Sequence, residues 1–312
     1  MTAPTLVAEL LDELERVVVG KRDRLQLITA AFLAGGHVLL DDVPGVAKTL
    51  IARSFASASG LGFSRVQFTP DVLPADVAGA TVIDLRTGEP VFRQGPIFAN
   101  VVLADEINRA PAKTQAALLE AMQEAQVSAD GVTHRLPDPF FVIATENPVE
   151  SEGTYPLPEA QLDRFLVRLS IGYPELDDER EIVRRRVVDG PAPELSPVAP
   201  GERLTALRSA VDRVHIEPVV ADYAVAIARA TRRQRDLAVG VSPRGTVGFV
   251  QMARAWALTE GRDFVTPDDL ASLAVPCLAH RVVLSDQAWA RGVRADDAIT
   301  ATLRQVDAPS WE

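Results

Sequence analysis

The sequence has a single cysteine, Cys277, among its 312 residues. A disulfide within the chain is therefore impossible, and the chain is compatible with a reducing compartment. Basic residues are fewer than acidic ones: the sequence has 32 Lys and Arg and 43 Asp and Glu, and its formal net charge is −11. Non-specific binding to nucleic acid depends on the neutralisation of phosphates by Lys and Arg. This balance therefore argues against general nucleic-acid binding and leaves room only for a local basic patch.

Long apolar runs are missing as well. No stretch approaches the ~20 apolar residues of a membrane helix, and acidic side chains interrupt residues 1–20, where a signal peptide would have a basic start and an apolar run. We therefore expect no signal peptide, no membrane span and a cytoplasmic location. The content of 47% hydrophobic and 24% charged residues is that of a globular protein and excludes a disordered or collagen-like chain.

The first half of the chain alternates short apolar runs with helical patterns. The runs predict buried strands at residues 37–41, 63–68, 100–104, 140–144 and 166–171. Helical spacing of apolar residues predicts helices at 5–16, before Gly35, at 49–58 and at 114–123. Alternating strands and helices predict an α/β fold with a parallel five-stranded sheet and helices on both faces.

Two inserts interrupt this alternation, at residues 81–93 and 126–136. Each has two short β-like runs around turn residues, which predicts a hairpin, although plain surface loops fit almost as well.

The pattern changes after Pro174. A charged helix is predicted at 175–188 and a proline-rich linker at 189–201. Further helical patterns follow at 202–214, 218–232, 246–259, 267–279 and 295–303. We therefore predict an α/β domain over residues 1–173 and an all-α domain over residues 174–312.

The segment DVPGVAKT stands between the first strand and the following helix. A P-loop has the pattern G-x-x-x-x-G-K-[ST], and here Asp42 and Ala47 replace its two glycines. Gly45 supplies permissive backbone, Lys48 a cation for phosphates and Thr49 a hydroxyl for Mg²⁺. A methyl group at Ala47 is tolerable if that residue has helical backbone angles. The alternative is a strand-to-helix turn that carries Lys-Thr by chance.

An apolar strand ends in two carboxylates, Asp105 and Glu106. The first suits Mg²⁺, and the second suits a base that takes a proton from water. Successive side chains on a strand point in opposite directions, so both can reach one site only where the chain turns. Asn147, after the next strand, could bond the γ-phosphate or orient the water. The alternatives are a solvated strand end for the acidic pair and a turn residue for Asn147.

The segments DVPGVAKT, VVLADEINRAPAKTQAALLEAMQE, VIATENPVESEGTYPLPEAQLDRF and SPRG resemble the successive motifs of the MoxR family of AAA+ ATPases. The resemblance runs from about residue 18 to residue 269. It implies a P-loop NTPase fold with a helical lid, and it places Asp105 and Glu106 in the Walker B motif. Asn147 then matches sensor 1, Arg164 the arginine finger that enters a neighbour's site, and Arg244 sensor 2 on the lid. Either arginine could instead be a surface ion-pair partner.

The same resemblance implies ATP and Mg²⁺ as ligands. The residues expected to bind ATP are Val19, Gly20, Pro44, Gly45, Val46, Ala47, Lys48, Thr49 and Leu50. Those expected to hold Mg²⁺ are Thr49 and Asp105, and the two inserts match the helix-2 insert and the pre-sensor-1 hairpin of this AAA+ branch.

The implied function is ATP hydrolysis in a homo-oligomeric ring, a hexamer by analogy, with ATP between the two domains and between subunits. Family members remodel or mature partner proteins, often with von Willebrand factor A domain proteins. Two other functions compete with this one. The acidic net charge argues against a nucleic-acid motor, and the presence of Glu106 and Arg164 argues against a nucleotide sensor that does not hydrolyse ATP.

Overall fold

The computed structural model describes residues 2–147, 154–188, 190–198 and 200–309. Part of the third family motif, residues 148–153, and two residues of the predicted linker, 189 and 199, lie outside the described residues. The strands are β1 (Val38–Asp41), β2 (Phe63–Gln67), β3 (Gly79–Ile83), β4 (Pro90–Gln94), β5 (Val101–Asp105), β6 (Gln126–Ala129), β7 (Val132–Arg135), β8 (Phe141–Glu146), β9 (Val167–Leu169), β10 (Leu237–Val239) and β11 (Val283–Leu284).

The described helices of eight or more residues lie where helices were predicted, whereas the three helices of four or five residues were not predicted. They are α1 (Ala3–Glu15), α2 (Arg22–Leu33), α3 (Lys48–Ser59), α4 (Pro74–Ala78), α5 (Ala112–Glu124), α6 (Glu159–Leu162), α7 (Leu176–Val183), α8 (Glu202–Val211), α9 (Pro218–Thr231), α10 (Pro243–Thr259), α11 (Pro267–Leu278), α12 (Asp286–Ala290) and α13 (Ala295–Leu303). The charged segment predicted as one helix is α7 followed by a π-helical turn over Arg184–Val188.

Five parallel strands form the central sheet, in the order β2-β5-β8-β1-β9. Successive residues of a strand face opposite sides, so Leu40 packs with α1, α2 and α3 while Leu39 packs with α5 on the other side. The predicted fold class is confirmed.

Both inserts are antiparallel hairpins, β3–β4 and β6–β7, and the alternative of plain loops is wrong. The Phe92 and His134 rings stack with centroids 3.8 Å apart and join the two hairpins.

The second half of the chain also contains an antiparallel pair, β10–β11, which the expected all-helical pattern missed. These runs of three and two residues are too short to produce a detectable alternation. In this half, α11 packs on the edge strand β9 and α10 packs on α2.

The apolar core on the α2 side of the sheet continues into α8, α9, α10 and α11 without a break. The division at residue 173 therefore stays a prediction, because the two halves share one core. Among the described helices, none has the length and apolar content that a membrane crossing requires.

We predict that Phe32→Ala destabilises the fold strongly. The Phe32 side chain is 2% exposed, and its ring lies 5.1 Å from that of Phe55 and 5.3 Å from that of Phe141. Truncation of a buried Phe costs about 3–5 kcal/mol, which urea unfolding would measure. The matched control is Trp289→Ala, because Trp289 is 76% exposed and the change should stay within about 0.5 kcal/mol. Equal losses for both variants would contradict this description of the core.

Candidate functional site

The carboxyl ends of β1, β5 and β8 meet at one edge of the sheet. Parallel pairing aligns Asp41 with Glu146 and Ala104 with Ala144, so the segments that follow these strands converge. They border a cleft of about 390 Å³. Its lining residues are Pro44, Gly45, Ala47, Lys48, Thr49, Leu50, Asp105, Glu106 and Asn147. The structure thus brings together residues that the sequence predicted from three separate motifs.

Lys48, the first residue of α3, has its ammonium group surrounded by backbone acceptors. Nζ donates to the carbonyl oxygens of Asp42 at 2.5 Å, Val43 at 3.3 Å and Glu146 at 3.4 Å. Burial lowers the pKa of Lys48, while the negative charges of Asp42 and Asp105 act in the opposite direction. A positive charge is therefore held at the mouth of the loop by groups that are fixed to the sheet.

The loop backbone is left-handed at two positions. Gly45 has φ of 87°, and no described atom lies within 4 Å of where a Cβ would be. Ala47 has φ of 66° and ψ of 19°, so the condition under which its methyl group would be tolerable, helical backbone angles, is not met. The geometry of the loop requires this conformation at the position where the pattern has glycine, and an L-residue pays roughly 1–2 kcal/mol for it. Val46, between them, turns its side chain into the core, so only its backbone is available to a ligand.

Asp42, at the position of the first P-loop glycine, accepts four hydrogen bonds through its carboxylate. Its Oδ2 accepts hydrogen bonds from Ser170 Oγ at 2.9 Å and from the backbone N–H groups of Ile171 at 2.6 Å and Gly172 at 2.7 Å. Its Oδ1 accepts from the Val43 N–H at 2.9 Å. Burial would raise the pKa of Asp42, but these hydrogen bonds outweigh burial and hold it below its usual value. Asp42 thereby ties the start of the loop to the chain that leaves β9.

The chain turns sharply after β5, as the sequence argument required. Glu106 has φ of 56° and ψ of 50°, a left-handed conformation that brings both carboxylates to the cleft. Asp105 Oδ1 accepts from Thr145 Oγ1 at 2.7 Å, and Oδ2 accepts from Arg65 Nη2 at 2.8 Å. The Glu106 N–H in turn donates to Thr145 Oγ1 at 2.8 Å. Thr145 therefore fixes the relative position of the two acids.

The Glu106 carboxylate is held from two sides. Its Oε2 accepts from Gln67 Nε2 at 2.8 Å and from Arg109 Nη1 at 3.1 Å. Sequence reasoning missed Gln67, although a signal was present. In the run 63–68, Arg65 and Gln67 alternate with the buried Val66 and Phe68. This alternation places the two polar side chains on one face of β2, beside the acidic end of β5.

A second cavity, of about 650 Å³, adjoins the cleft at Leu50, which lines both. Val17, Val19, Ile182 and the described linker residues 190–193 form the apolar part of its wall with Leu50. The charged part consists of Arg16, Glu181, Arg184, Arg185 and Arg186. Gly20 lies beside it with φ of 67°, and a Cβ there would meet the Asp178 carboxylate at 1.9 Å. A side chain at this position would therefore displace the Asp178 carboxylate and would also have to adopt a left-handed backbone conformation.

Neither predicted arginine lies in the cleft. Arg164 precedes β9, and Arg244 lies in the first turn of α10; within the described ranges neither forms an ion pair. The two segments are joined, because Ser242 Oγ donates to Asp163 Oδ2 at 3.2 Å. Arg164 precedes β9, which runs parallel to its neighbour β1, so Arg164 lies at the amino edge of the sheet, opposite Lys48.

The hydrogen bond between Ser242 and Asp163 places the start of α10, and with it Arg244, at that same edge, where His37 precedes β1. Burial lowers the pKa of His37 to about 4; its hydrogen bond to the Met122 carbonyl opposes this, and the positive charge of Arg244 adds to it. β1 has four residues, so the two edges are separated by roughly 13 Å at 3.3 Å per residue. The structure therefore separates Arg244 from the Lys48 of its own chain.

Comparison with known proteins places this geometry in a family. The model of the ATPase family associated with various cellular activities (AAA) matches residues 37–167, and the AAA lid domain model matches residues 229–302. The chain is 42% identical over 308 residues to Chaperone MoxR1 of Mycobacterium tuberculosis, which covers 95% of this chain and 81% of that protein. It is 46% identical over 304 residues to the uncharacterized protein YeaC of Bacillus subtilis, with 97% and 95% covered.

More distant relatives agree. The chain is 32% identical over 322 residues to Protein MoxR of Methylorubrum extorquens, with 95% and 93% covered. The crystal structure of a candidate ATPase from Cytophaga hutchinsonii superposes with a TM-score of 0.92 at 36% identity, and covers 99% of this chain and 96% of that one.

We predict that Ala47→Gly stabilises the protein. Glycine adopts the left-handed conformation observed at this position without the steric cost of a Cβ, so the free energy of unfolding should rise by about 1 kcal/mol. Chemical denaturation would measure it. Ala125→Gly is the matched control, because Ala125 is also left-handed, with φ of 50°, but ends α5 away from the cleft. A loss of stability in Ala47→Gly alone would show that the loop needs the Ala47 methyl group.

Proposed function

The chain belongs to the MoxR family of AAA ATPases, and from this premise we propose that it binds ATP with Mg²⁺ in the cleft and hydrolyses it. Water attacks the γ-phosphate, and ADP and phosphate leave. The observation that carries the proposal is the cleft itself, where Lys48 and Thr49 face Asp105 and Glu106 across one opening. A cation, a hydroxyl and two carboxylates at this spacing are the groups that phosphoryl transfer to water needs.

The loop and α3 supply the phosphate site. Free backbone N–H groups at the start of a helix attract anions, and Lys48 heads α3 with its ammonium group directed at the loop. When phosphates enter, the weaker hydrogen bonds of Nζ, at 3.3 and 3.4 Å, are the ones easily exchanged for phosphate oxygens. The adenine base takes the apolar part of the adjoining cavity beside Val19 and Leu50, with the Gly20 backbone at its rim.

Thr49 and Asp105 would hold Mg²⁺. They fit this ion because a hydroxyl and a carboxylate are hard oxygen donors, and both line the cleft. The Arg65 guanidinium, 2.8 Å from Asp105 Oδ2, balances the charge of that carboxylate. Mg²⁺ supplies neutralisation of the phosphate charge when it is bound.

Glu106 acts as the general base, and Asn147 orients the attacking water. A base must lie within hydrogen-bond reach of the proton that it takes. Gln67 and Arg109 fix the Glu106 carboxylate on one oxygen, Oε2, which leaves Oε1 directed to the water.

Arg164 and Arg244 serve the ATP site of a neighbouring subunit in a homo-oligomeric ring, which we propose to be a hexamer. Two observations support this role. Both arginines lie at the edge of the sheet opposite their own Lys48, and neither forms an ion pair among the described residues. A positive charge held in this way is available to the γ-phosphate bound by the next subunit.

We propose that ATP turnover by an α/β domain, residues 1–173, and a lid, residues 174–312, drives the remodelling of partner proteins in the cytoplasm. A relative at 42% identity is named a chaperone, which supports this role. The partner would be a von Willebrand factor A domain protein rather than nucleic acid, which the net charge of −11 disfavours.

Variants of Glu106 and of Lys48 should affect different steps, ATP hydrolysis and ATP binding respectively. Glu106→Gln should bind ATP with unchanged affinity and lose most of its turnover, because the amide keeps the shape and removes the base. Lys48→Ala should lose binding, because it removes the ammonium group from the loop. Isothermal titration and phosphate release would measure the two effects. Unchanged turnover in Glu106→Gln would move the base elsewhere, and burial raises the pKa of the competing carboxyl, Glu146, to about 7.

Complementation should identify a finger that acts between subunits. Arg164→Ala alone should bind ATP but lose most of its turnover, since such an arginine contributes ~10³–10⁵ in rate. Mixing it with Glu106→Gln should restore part of the turnover, because one subunit then supplies an intact finger to the other's intact site. The control mixture pairs Arg164→Ala with Glu106→Gln/Arg164→Ala, and it should stay inactive. Absence of rescue in a mixture shown by pull-down to contain both subunits would refute the trans role.

A further inference from the structure

The segment that carries Arg164 is held by a buried arginine from the other half of the chain. Arg281, just beyond α11, has a side chain that is 4% exposed. Its Nη1 donates to the Asp163 carbonyl at 2.9 Å and forms an ion pair with the Asp163 carboxylate. Its Nη2 donates to the Phe165 carbonyl at 2.6 Å. One guanidinium therefore fixes the backbone on both sides of Arg164.

Residues near Arg281 also bind residues 163–165. His280 Nε2 donates to the Phe165 carbonyl at 2.9 Å, and Ser242 Oγ, at the start of α10, donates to Asp163 Oδ2 at 3.2 Å. Arg281 Nε is fixed to its own helix by the Cys277 carbonyl at 2.8 Å. These contacts link α10 and α11 to residues 163–165.

The guanidinium reaches this place because α10 has no side chain in its path. A Cβ at Gly245 would lie 3.1 Å from Arg281 Cδ and 3.4 Å from Nη1, which is tighter than ordinary packing. At Gly248 a Cβ would lie 3.9 Å from Nη2. The first two turns of α10 therefore form one wall of the space that Arg281 occupies.

We propose that Arg281 is the positioning residue of the Arg164 finger, so that helices α10 and α11 set how well one subunit stimulates ATP hydrolysis in the next. This inference rests on the proposed trans role of Arg164. A finger that projects from a chain segment works only if the segment is fixed, because a displacement of about 1 Å can cost roughly 10²-fold in rate. The planar fork of arginine can bond Asp163 and Phe165 together, whereas a lysine ammonium has its three N–H donors on one nitrogen and does not reproduce this geometry.

Arg281→Lys tests the proposal, because it keeps the charge and removes the fork. We expect an unchanged dissociation constant for ATP, since the cleft lies at the opposite edge of the sheet, and a fall of about 10-fold to 100-fold in kcat. Arg262→Lys is the matched control. Arg262 also makes a two-pronged ion pair, with Asp269 at 2.6 and 2.8 Å, but within the helical half and away from Arg164, so its kcat should not change.

Two further measurements separate positioning from general damage. The double variant Arg164→Ala/Arg281→Lys should be no slower than Arg164→Ala alone, because Arg281 acts through Arg164. Arg281→Lys mixed with Glu106→Gln should regain turnover, because its own ATP site is intact. Additive losses in the double variant, or no rescue in the mixture, would overturn the proposal. If Arg281→Lys does not assemble, Asp163→Asn removes the same ion pair and must give the same pattern.

The outcome also distinguishes this inference from the function on which it rests. If Arg164→Ala loses turnover while Arg281→Lys turns over normally, only the positioning role is wrong. If Arg164→Ala itself turns over normally, the trans finger is wrong and the positioning role falls with it. If Lys48→Ala still binds ATP, the phosphate site is misassigned, whatever the arginine variants do.

Discussion

Parallel pairing of β1 with β8 and β9 is the constraint on which the rest of the structure depends. It puts the carboxyl ends of neighbouring strands at one edge and their amino ends at the other. Lys48 follows β1 at the first edge, and His37 precedes it at the second. The same pairing puts Asn147 beside Lys48 and Arg164 close to His37. One short strand thus separates a chain's own phosphate site from the arginines that it would offer to a neighbour under the proposed trans role.

The phosphate loop keeps its backbone although both glycines of its pattern are replaced. Ala47 is left-handed like the glycine that it replaces, so the loop geometry prevails over the preference of an L-residue. Asp42 contributes bonds that glycine has no atoms to make, and these join the loop to the end of β9. The steric cost at Ala47 is thus accompanied by added hydrogen bonds at Asp42. The loop therefore does not match the P-loop pattern at Asp42 and Ala47. It still has the physical features of a phosphate site, which are backbone N–H groups beside a fixed ammonium group.

Features of the fold that depend on short segments could be predicted from the sequence, whereas contacts between residues far apart in the sequence could not. The five strands and the turn after Asp105 could be predicted, because periodicity and the direction of side chains on a strand are properties of short segments. The fixing of Glu106 by Gln67 involves residues 39 positions apart, and that of Asp163 by Arg281 involves residues 118 positions apart. Such contacts are set by how helices pack on the sheet. For the same reason the sequence could assign Arg244 to a lid but not to an edge of the sheet.

Burial makes the contact between Arg281 and residues 163–165 costly to break. A guanidinium removed from water is tolerable only while its donors are bonded, and loss of one partner leaves a buried charge uncompensated. Arg281 meets this condition with carbonyls from residues 163 and 165 and the carboxylate of Asp163. A shift of α11 that broke one of these bonds would therefore be costly, which keeps residues 163–165 fixed relative to α11. Under the proposed trans role of Arg164, the helical half would therefore contribute to the neighbouring ATP site by fixing the segment that carries this arginine.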